Sequence, residues 1–164
     1  MRNIINGSRV PDILFGHAEN DELRTVGARE YFACGRTLVL GAPGAFTPVC
    51  TKQHIPDFVQ NADKLVASGF SRLVCIAPND PFVLDAWARQ LDPGKKLKFL
   101  SDGNLDFARA LQLESQNRKL FLGWRSERYL MTVDDGIITR LRVEPSILTY
   151  SCTRATDALN VEFV

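Results

Sequence analysis

Cys50 is the residue whose position most clearly suggests chemistry, because it follows Thr47-Pro48-Val49 at a predicted helix start. Thr47 suits the N-cap of a helix, and Pro48 suits the first turn, where a missing backbone N–H costs nothing. Cys50 then lies near free backbone N–H groups and the positive end of the helix dipole. These groups stabilise a thiolate, which is the nucleophilic form of cysteine. The alternative is that Cys50 packs beneath the loop as a small apolar residue.

The cysteines form no recognised metal or dithiol motif. The four cysteines of the chain are Cys34, Cys50, Cys75 and Cys152. Zinc ribbons and fingers need ligands paired two to four residues apart, and thioredoxin-type dithiols need Cys-x-x-Cys, so neither is expected. Scattered cysteines are typical of a reducing compartment, where most of them are small buried residues.

Apolar runs of strand length alternate with amphipathic segments, and this alternation predicts the elements that position Cys50. Strands are predicted at residues 38–42, 73–77 and 97–100, followed by a hairpin of residues 129–133 and 137–141 around Asp135-Gly136. Helices are predicted at residues 48–69, 81–91, 105–113 and 153–161. We expect Pro56 to kink or interrupt the first helix, and Phe82, Ala86 and Leu91 to face inward from the second.

The order β-α-β-α-β-α-β-β-α predicts the fold class. It indicates an α/β three-layer sandwich, with helices on both faces of a central mixed sheet that is parallel at first and ends in an antiparallel hairpin. In such sheets, binding and catalytic residues lie in loops at the carboxyl ends of strands, and residues 41–50 form one of these loops.

The length and net charge of the chain limit the class of protein further. A chain of 164 residues predicts one domain, residues 1–164, with a core that needs no disulfide or metal. Twenty Lys and Arg residues against nineteen Asp and Glu residues leave a net charge of +1, which argues against nucleic-acid binding. The apolar runs are too short for a membrane helix, and the N-terminus lacks a signal-peptide pattern. We therefore expect a soluble cytoplasmic protein.

The loop before Cys50 resembles a family motif. Residues 43–51 read P-G-A-F-T-P-V-C-T, with His54 and Pro56 following. This pattern is similar to the peroxidatic loop of peroxiredoxins of type II, the peroxiredoxin-5-like subgroup. The resemblance continues along nearly the whole chain through Asn79-Asp80-Pro81-Phe82-Val83, Ala86-Trp87, Leu100-Ser101-Asp102, Arg125-Ser126-Glu127-Arg128-Tyr129, Asp135-Gly136 and Val143-Glu144-Pro145.

The resemblance implies a thioredoxin-like fold and a thiol peroxidase that needs no metal or organic cofactor. It makes Cys50 the peroxidatic cysteine and Arg128 the remote cation. It also implies that Thr47 hydrogen-bonds the substrate oxygen and the thiolate, and that Pro43 shields the site from water. Breaking an O–O bond places negative charge on the leaving oxygen, and preorganised donors in a dry pocket stabilise that charge. Arginine suits this task because it stays ionised and offers several fixed donors.

Several assignments have rivals. Thr47 could only cap its helix. Arg125 competes with Arg128 for the role of the cation, although the spacing to Tyr129 favours Arg128. His54, one helical turn after Cys50, could be a base, a metal ligand paired with Cys50, or a supporting pocket residue, and the resemblance favours support.

Three routes could resolve the sulfenic acid formed at Cys50. Cys152 resembles the resolving cysteine of atypical two-cysteine members and lies where a loop meets a helix, so it is favoured. Cys75 resembles a resolving position proposed for plant-type relatives, but its apolar run predicts a buried side chain. In the third route glutathione or glutaredoxin attacks the sulfenic acid directly. Cys34 is expected to be structural.

The expected function is an antioxidant peroxidase that contributes to cell redox homeostasis. It would reduce hydrogen peroxide and organic hydroperoxides and be recycled by thioredoxin or by glutathione and glutaredoxin. The resemblance also suggests a homodimer with the active-site loops near the contact. One alternative is a peroxide-sensing signalling protein with little turnover. Another is a flavodoxin-like module that binds phosphate at residues 43–45, but the loop lacks the glycine spacing and the lysine of known phosphate cradles.

Overall fold

Residues 6–160 are described by the structure, a computed structural model. The strands are β1 (Leu14–Glu19), β2 (Glu22–Gly27), β3 (Arg36–Gly41), β4 (Arg72–Ala77), β5 (Lys98–Ser101), β6 (Glu114–Asn117), β7 (Gly123–Ser126), β8 (Tyr129–Asp134) and β9 (Ile137–Val143). The α-helices are α1 (Ala28–Tyr31), α2 (Ile55–Ala67), α3 (Pro81–Leu91), α4 (Asp106–Ala110) and α5 (Ala155–Ala158). A π-helical turn, Cys50–His54, precedes α2, and a 3-10 helix, Arg118–Leu120, precedes β7.

The described part of the chain contains a seven-stranded mixed sheet in the order β2-β1-β5-β4-β3-β8-β9. The β3–β4 and β4–β5 pairs are parallel, and the remaining pairs are antiparallel. Strands β6 and β7 form a separate antiparallel pair. Successive side chains of β3 enter different cores, because residues alternate between the faces of a strand.

Each face of the sheet has its own hydrophobic core. Leu40 of β3 packs with Phe58 of α2 and Trp87 of α3 on one face, where α5 also packs. Val39 of β3 packs on the other face with residues of α1 and α4, including Phe107. The predicted three-layer α/β sandwich with a thioredoxin-like fold is therefore confirmed.

The hairpin prediction is confirmed at its turn. Asp135 and Gly136 have φ values of 48° and 81°, and two positive φ angles in succession are what a tight primed turn between twisted strands requires. Helix α3 spans the predicted residues. It begins where the Asp80 carboxylate accepts the backbone N–H groups of Phe82 and Val83, which caps the helix.

The predicted inward face of α3 is wrong for Phe82 and Ala86, whereas Leu91 is partly buried and packs against the core as predicted. Phe82 is 49% exposed and Ala86 is exposed, whereas Leu84 and Trp87 are buried. The stripe through Leu84 and Trp87 places a leucine and the large indole ring against the sheet, so this rotation buries more apolar area per turn. The helix therefore presents Phe82 to solvent.

Two hairpins, β1–β2 and β6–β7, and the ends of helix α4 also differ from the sequence prediction. Strands β1 and β2 and strands β6 and β7 were not predicted. Strand β2 is mostly exposed and Glu114–Asn117 of β6 is polar, so these two strands lack the apolar pattern that identifies core strands, whereas β1 buries Phe15 and Ala18. Helix α4 is shorter than predicted, because Leu105 (φ 61°) and Gln112 (φ 55°) lie in the left-handed region. The predicted end of the last helix, Val161, lies outside the described residues.

No helix within residues 6–160 is long and apolar enough to cross a membrane.

Candidate active site

The turn that carries Cys50 lies between the end of β3 and helix α2. Helical backbone begins at Pro48, as predicted, and the N–H of Thr51 donates to the carbonyl of Thr47 over 3.0 Å. Pro56 has no N–H to return to the preceding turn, and its ring needs space there. The wider π-helical turn, Cys50–His54, lies at this point and accommodates the proline without ending the helix.

Arg128 lies against the sulfur of Cys50. Cys50 is 0% exposed and Arg128 is 1% exposed, and Nη1 of the guanidinium donates to Sγ over 3.2 Å. Arg128 directly precedes β8, whose first residue, Tyr129, pairs with Gly41 at the end of β3. A buried guanidinium is a permanent positive charge, so this contact stabilises negative charge on the sulfur.

The other donors of Arg128 are fixed by the pocket. Nη1 also contacts Nδ1 of His54 at 2.8 Å, Nη2 donates to the carbonyl of Ile147 at 2.7 Å, and Nε donates to the carbonyl of Thr149 at 3.2 Å. Together with the contact to Cys50, these three contacts hold the guanidinium plane in one orientation. The structure thus brings Arg128, and not its rival Arg125, to Cys50.

Arg125 borders the same loop from another side. Its Nε donates to the carbonyl of Leu122 over 2.8 Å, and a Cβ atom added to Gly44 would lie 3.1 Å from its Nη1. Arg125 therefore packs against the loop at Gly44 and has no hydrogen bond to the sulfur.

His54 is neutral in this arrangement. Complete burial, and then the positive charge of Arg128, hold the pKa of His54 well below its usual 6.5. Because Nδ1 faces the Arg128 donor, it accepts a hydrogen bond and the proton is on Nε2. His54 also packs at 5.2 Å from the ring of Tyr150 and at 5.7 Å from the ring of Phe58. Across residues 6–160, no group of three or more His, Cys, Asp or Glu side chains could hold a metal ion.

Thr47 and Pro43 lie in the loop above Cys50. The Thr47 hydroxyl donates to the carbonyl of Gly44 over 2.7 Å, so its proton is occupied and its oxygen keeps lone pairs for another donor. Pro43 is buried. The loop is fixed by Asn79, whose side-chain oxygen accepts the N–H of Ala45 over 2.8 Å. Asn79 is a residue that sequence reasoning noted only as part of a motif.

Glu144 is the second residue whose structural role sequence reasoning missed. Its carboxylate is 5% exposed and accepts hydrogen bonds from the backbone or hydroxyl groups of Thr149, Ser151, Cys152 and Thr153. Burial alone would raise the pKa of Glu144, but the backbone N–H groups of Cys152 and Ser151 and the hydroxyl groups lower it to about 2. The run of hydroxyl residues after Val143-Glu144-Pro145 was the available signal.

The remaining cysteines lie in three different environments. Cys75 is fully buried in β4, where burial, and then the nearby Cys50, raise its pKa well above the usual value. Cys152 is half-buried, its Sγ lies 3.7 Å from the carbonyl oxygen of Val143, and burial, and then Glu144, raise its pKa. Cys34 was expected to be structural, but it is exposed, because it lies in the turn between α1 and β3.

A buried cysteine at a helix start, held under an arginine on a thioredoxin-like sheet, defines a cysteine-dependent oxidoreductase. The Redoxin family model matches residues 5–159 of the chain. Peroxiredoxin-2B of Arabidopsis thaliana is 36% identical over 145 residues, which is 88% of this chain and 90% of that relative. The chain belongs to the peroxiredoxin family and is of the type II, peroxiredoxin-5-like kind; it is a thiol peroxidase.

Solved structures give the same family. Reduced Prx3 from Vibrio vulnificus in complex with H2O2 is 31% identical, with a TM-score of 0.88 over 95% of this chain and 94% of that one. Peroxiredoxin 5 from Alvinella pompejana is 33% identical, with a TM-score of 0.78 over 88% and 92%. Oxidized Prx3 from Vibrio vulnificus matches over 86% of this chain and 88% of that one, at 33% identity and a TM-score of 0.79. By TM-score, the fold of this chain is more similar to the reduced form of the Vibrio vulnificus protein than to its oxidized form.

Proposed function

We propose that this chain reduces hydrogen peroxide and organic hydroperoxides through Cys50. The observation that carries the proposal is the 3.2 Å contact between Nη1 of Arg128 and Sγ of Cys50, with both residues buried. A thiolate is the form of cysteine that attacks peroxide, and a fixed cation excluded from water favours that form. The charge on the leaving oxygen develops beside the same guanidinium.

The proposed chemistry has two steps at the Cys50 sulfur, oxidation and resolution, followed by reduction of the resulting disulfide. The Cys50 thiolate attacks one peroxide oxygen, an S–O bond forms, the O–O bond breaks, and the leaving oxygen takes up a proton as water or an alcohol. Cys50 is then a sulfenic acid, oxidised by two electrons. A second thiol attacks that sulfur, an S–S bond forms and water leaves. Two further thiols, from thioredoxin or from glutathione and glutaredoxin, then reduce this disulfide; they become a disulfide themselves, and Cys50 returns to its starting state.

Thr47 and Pro43 have separate roles in the first step. Since the Thr47 hydroxyl proton is directed to Gly44, its oxygen accepts a hydrogen bond from the peroxide O–H and so orients the substrate. Pro43 is buried and keeps water out of the pocket. Cys50 has no exposed surface, so peroxide enters when the loop of residues 43–49 moves.

Cys152 is the favoured resolving cysteine. Cys75 lies inside β4 and is fully buried, whereas Cys152 is half-buried in a loop and can be released without breaking the sheet. The Vibrio vulnificus relative supports a rearrangement on oxidation, because its oxidized form matches a smaller part of this chain than its reduced form. Direct attack by glutathione or glutaredoxin on the Cys50 sulfenic acid is the competing route.

We also propose that the protein forms a homodimer and is cytoplasmic. Phe46 of the active-site loop is 53% exposed and Phe82 of α3 is 49% exposed, and such aromatic side chains suit a contact with a second copy. Curated relatives include chloroplastic and mitochondrial proteins, so members of the family occupy several compartments.

Replacing the nucleophile tests the function. Cys50→Ser removes the thiol and is expected to abolish peroxide consumption, while Cys34→Ser, at an exposed position, serves as the matched control and keeps it. Consumption can be followed with a thiol reductant in excess. Peroxide turnover by the Cys50→Ser variant at the normal rate would contradict the proposal.

Mass spectrometry after one equivalent of peroxide distinguishes the resolving routes. A Cys50–Cys152 disulfide is expected. A Cys50–Cys75 disulfide, or an unpaired sulfenic acid, would instead assign resolution to Cys75 or to an external thiol. A long-lived oxidised form with no turnover under reductant would favour the peroxide-sensing alternative.

A further inference from the structure

Residues 146–153, which we term the Glu144 loop, are held by hydrogen bonds to one carboxylate, that of Glu144. Oε1 of Glu144 accepts the N–H groups of Ser151, Cys152 and Thr153 at 2.8, 2.8 and 3.0 Å, and the Thr153 hydroxyl at 2.9 Å. Oε2 accepts the hydroxyl groups of Thr149 and Ser151 at 3.0 and 2.9 Å. Six donors on a buried carboxylate make this loop depend on a single side chain.

The Glu144 loop also supplies two of the acceptors that hold Arg128. The carbonyls of Ile147 and Thr149 receive Nη2 and Nε of the guanidinium, and these bonds leave Nη1 directed at the Cys50 sulfur. The Thr149 side chain is bonded to Glu144 while the Thr149 carbonyl is bonded to Arg128. The carboxylate and the guanidinium are therefore linked through one residue.

The same loop carries Cys152, and Glu144 restrains it. The Cys152 N–H is one of the six donors, so the cysteine cannot leave its place while the carboxylate holds the loop. Burial, and then the negative charge of Glu144, raise the pKa of the Cys152 thiol, which disfavours its nucleophilic form.

We propose that Glu144 is a positioning residue that holds Arg128 against Cys50 through the Glu144 loop and, by the same hydrogen bonds, restrains Cys152 until the loop is released. The inference rests on the proposed peroxidase function. It adds a residue that separates the oxidation of Cys50 by peroxide from the attack of Cys152 on the sulfenic acid. With the loop held, the site is arranged for attack on peroxide. With the loop released, Cys152 is free to reach the sulfenic acid.

Glu144→Gln tests the proposal with two readouts of opposite sign. The amide keeps the size of the side chain but turns one of its two acceptor groups into a donor, so part of the six bonds is lost. Stopped-flow measurement should show the reaction of Cys50 with hydrogen peroxide slowed by about 10-fold or more, because a misplaced guanidinium stabilises the transition state poorly. In the reduced protein, alkylation of Cys152 by iodoacetamide, read by mass spectrometry, should become faster.

Asp92→Asn is the matched control. Asp92 follows the end of α3 and is also a buried carboxylate, 3% exposed, that accepts backbone N–H groups, here from Lys96 and Leu97 in the segment before β5. Its variant should leave both readouts as in the wild type. Alkylation of Cys75, which is buried in β4, reports global unfolding in every variant and should stay slow.

The outcomes separate this inference from the proposed function. A wild-type Cys50 that does not react with peroxide defeats the proposed function. A reactive wild type with an equally fast Glu144→Gln variant, or with an equal loss in Asp92→Asn, overturns the role of Glu144 alone. If Glu144→Gln does not fold, Thr149→Val and Ser151→Ala each remove one hydroxyl donor from the carboxylate and should give smaller shifts in the same two directions.

Discussion

We expect Arg128 to act through the directions of its donors as much as through its charge. Nε and Nη2 are held by two carbonyls and Nη1 also contacts His54, and this anchoring keeps Nη1 on the sulfur of Cys50. A lysine ammonium is a compact charge on a flexible stem and cannot satisfy the two carbonyls and the sulfur at once. The fixed donor directions of the guanidinium therefore explain why an arginine, and not just any cation, is expected at this position.

Arg128→Lys is expected to slow the reaction of Cys50 with hydrogen peroxide by about 100-fold, which is typical for the loss of a preorganised donor. Stopped-flow kinetics would measure this rate, and thermal unfolding would show whether the fold is retained. Arg125→Lys is the matched control and should keep nearly the normal rate, because Arg125 bonds to Leu122. A large loss in the control with none in Arg128→Lys would transfer the role to Arg125.

At the scale of elements, the π-helical turn sets where Cys50 points. A regular α-helix rotates by about 100° per residue, so a turn with one additional residue changes the direction of every side chain before it. Cys50 is the first residue of this turn, and His54 is its last. Both side chains reach Arg128. The turn therefore allows Cys50 and His54 to share one guanidinium.

Pro56→Ala tests whether the proline maintains this turn. Alanine restores an N–H that can donate to the carbonyl of Lys52, which favours a regular helix through Cys50. We expect the rate of Cys50 oxidation to fall by about 10-fold, since the sulfur moves relative to Arg128. The free energy of unfolding should stay the same or rise, because alanine is the better helix former. An unchanged oxidation rate would mean that tertiary packing, and not Pro56, fixes the turn.

At the scale of the whole molecule, the neutral buried His54 makes stability depend on pH. Its pKa is well below 6.5 in the folded chain, whereas the unfolded chain binds the proton near 6.5. Below that pH the unfolded state therefore carries more protons, and stability falls as pH falls. The loss from one such group is at most about 1.4 kcal/mol per pH unit.

His54→Gln removes this titration and keeps an acceptor for Arg128. Denaturant unfolding at pH 7.5 and pH 5.5 is expected to show a smaller loss of stability in the variant than in the wild type. His17 also has a lowered pKa, caused mainly by burial, and it contributes equally to both proteins. Equal losses in the two proteins would show that His54 does not control this pH dependence.

The positions along the chain that chemistry needs were predictable from local pattern. Thr47-Pro48 predicts the helix start at Cys50, Pro56 predicts an interruption, and Asp135-Gly136 predicts the hairpin turn, because each depends on the backbone preferences of a few neighbouring residues. The family resemblance added the choice of Arg128 over Arg125. Phe82 shows the limit of such patterns, because helix α3 has more than one apolar stripe and the sheet decides which one is buried.

Only the tertiary structure decided what surrounds the sulfur. Cys50 and Arg128 lie 78 positions apart in the sequence, and the loop that holds Arg128 is a further 19 to 21 positions away. No short-range preference specifies such contacts; they exist because β3 and β8 pair in one register, which brings the end of one strand to the start of the other. The sequence by itself predicted Cys50 as the nucleophile and determined the order of elements, and the pairing of the strands determined which residues surround Cys50.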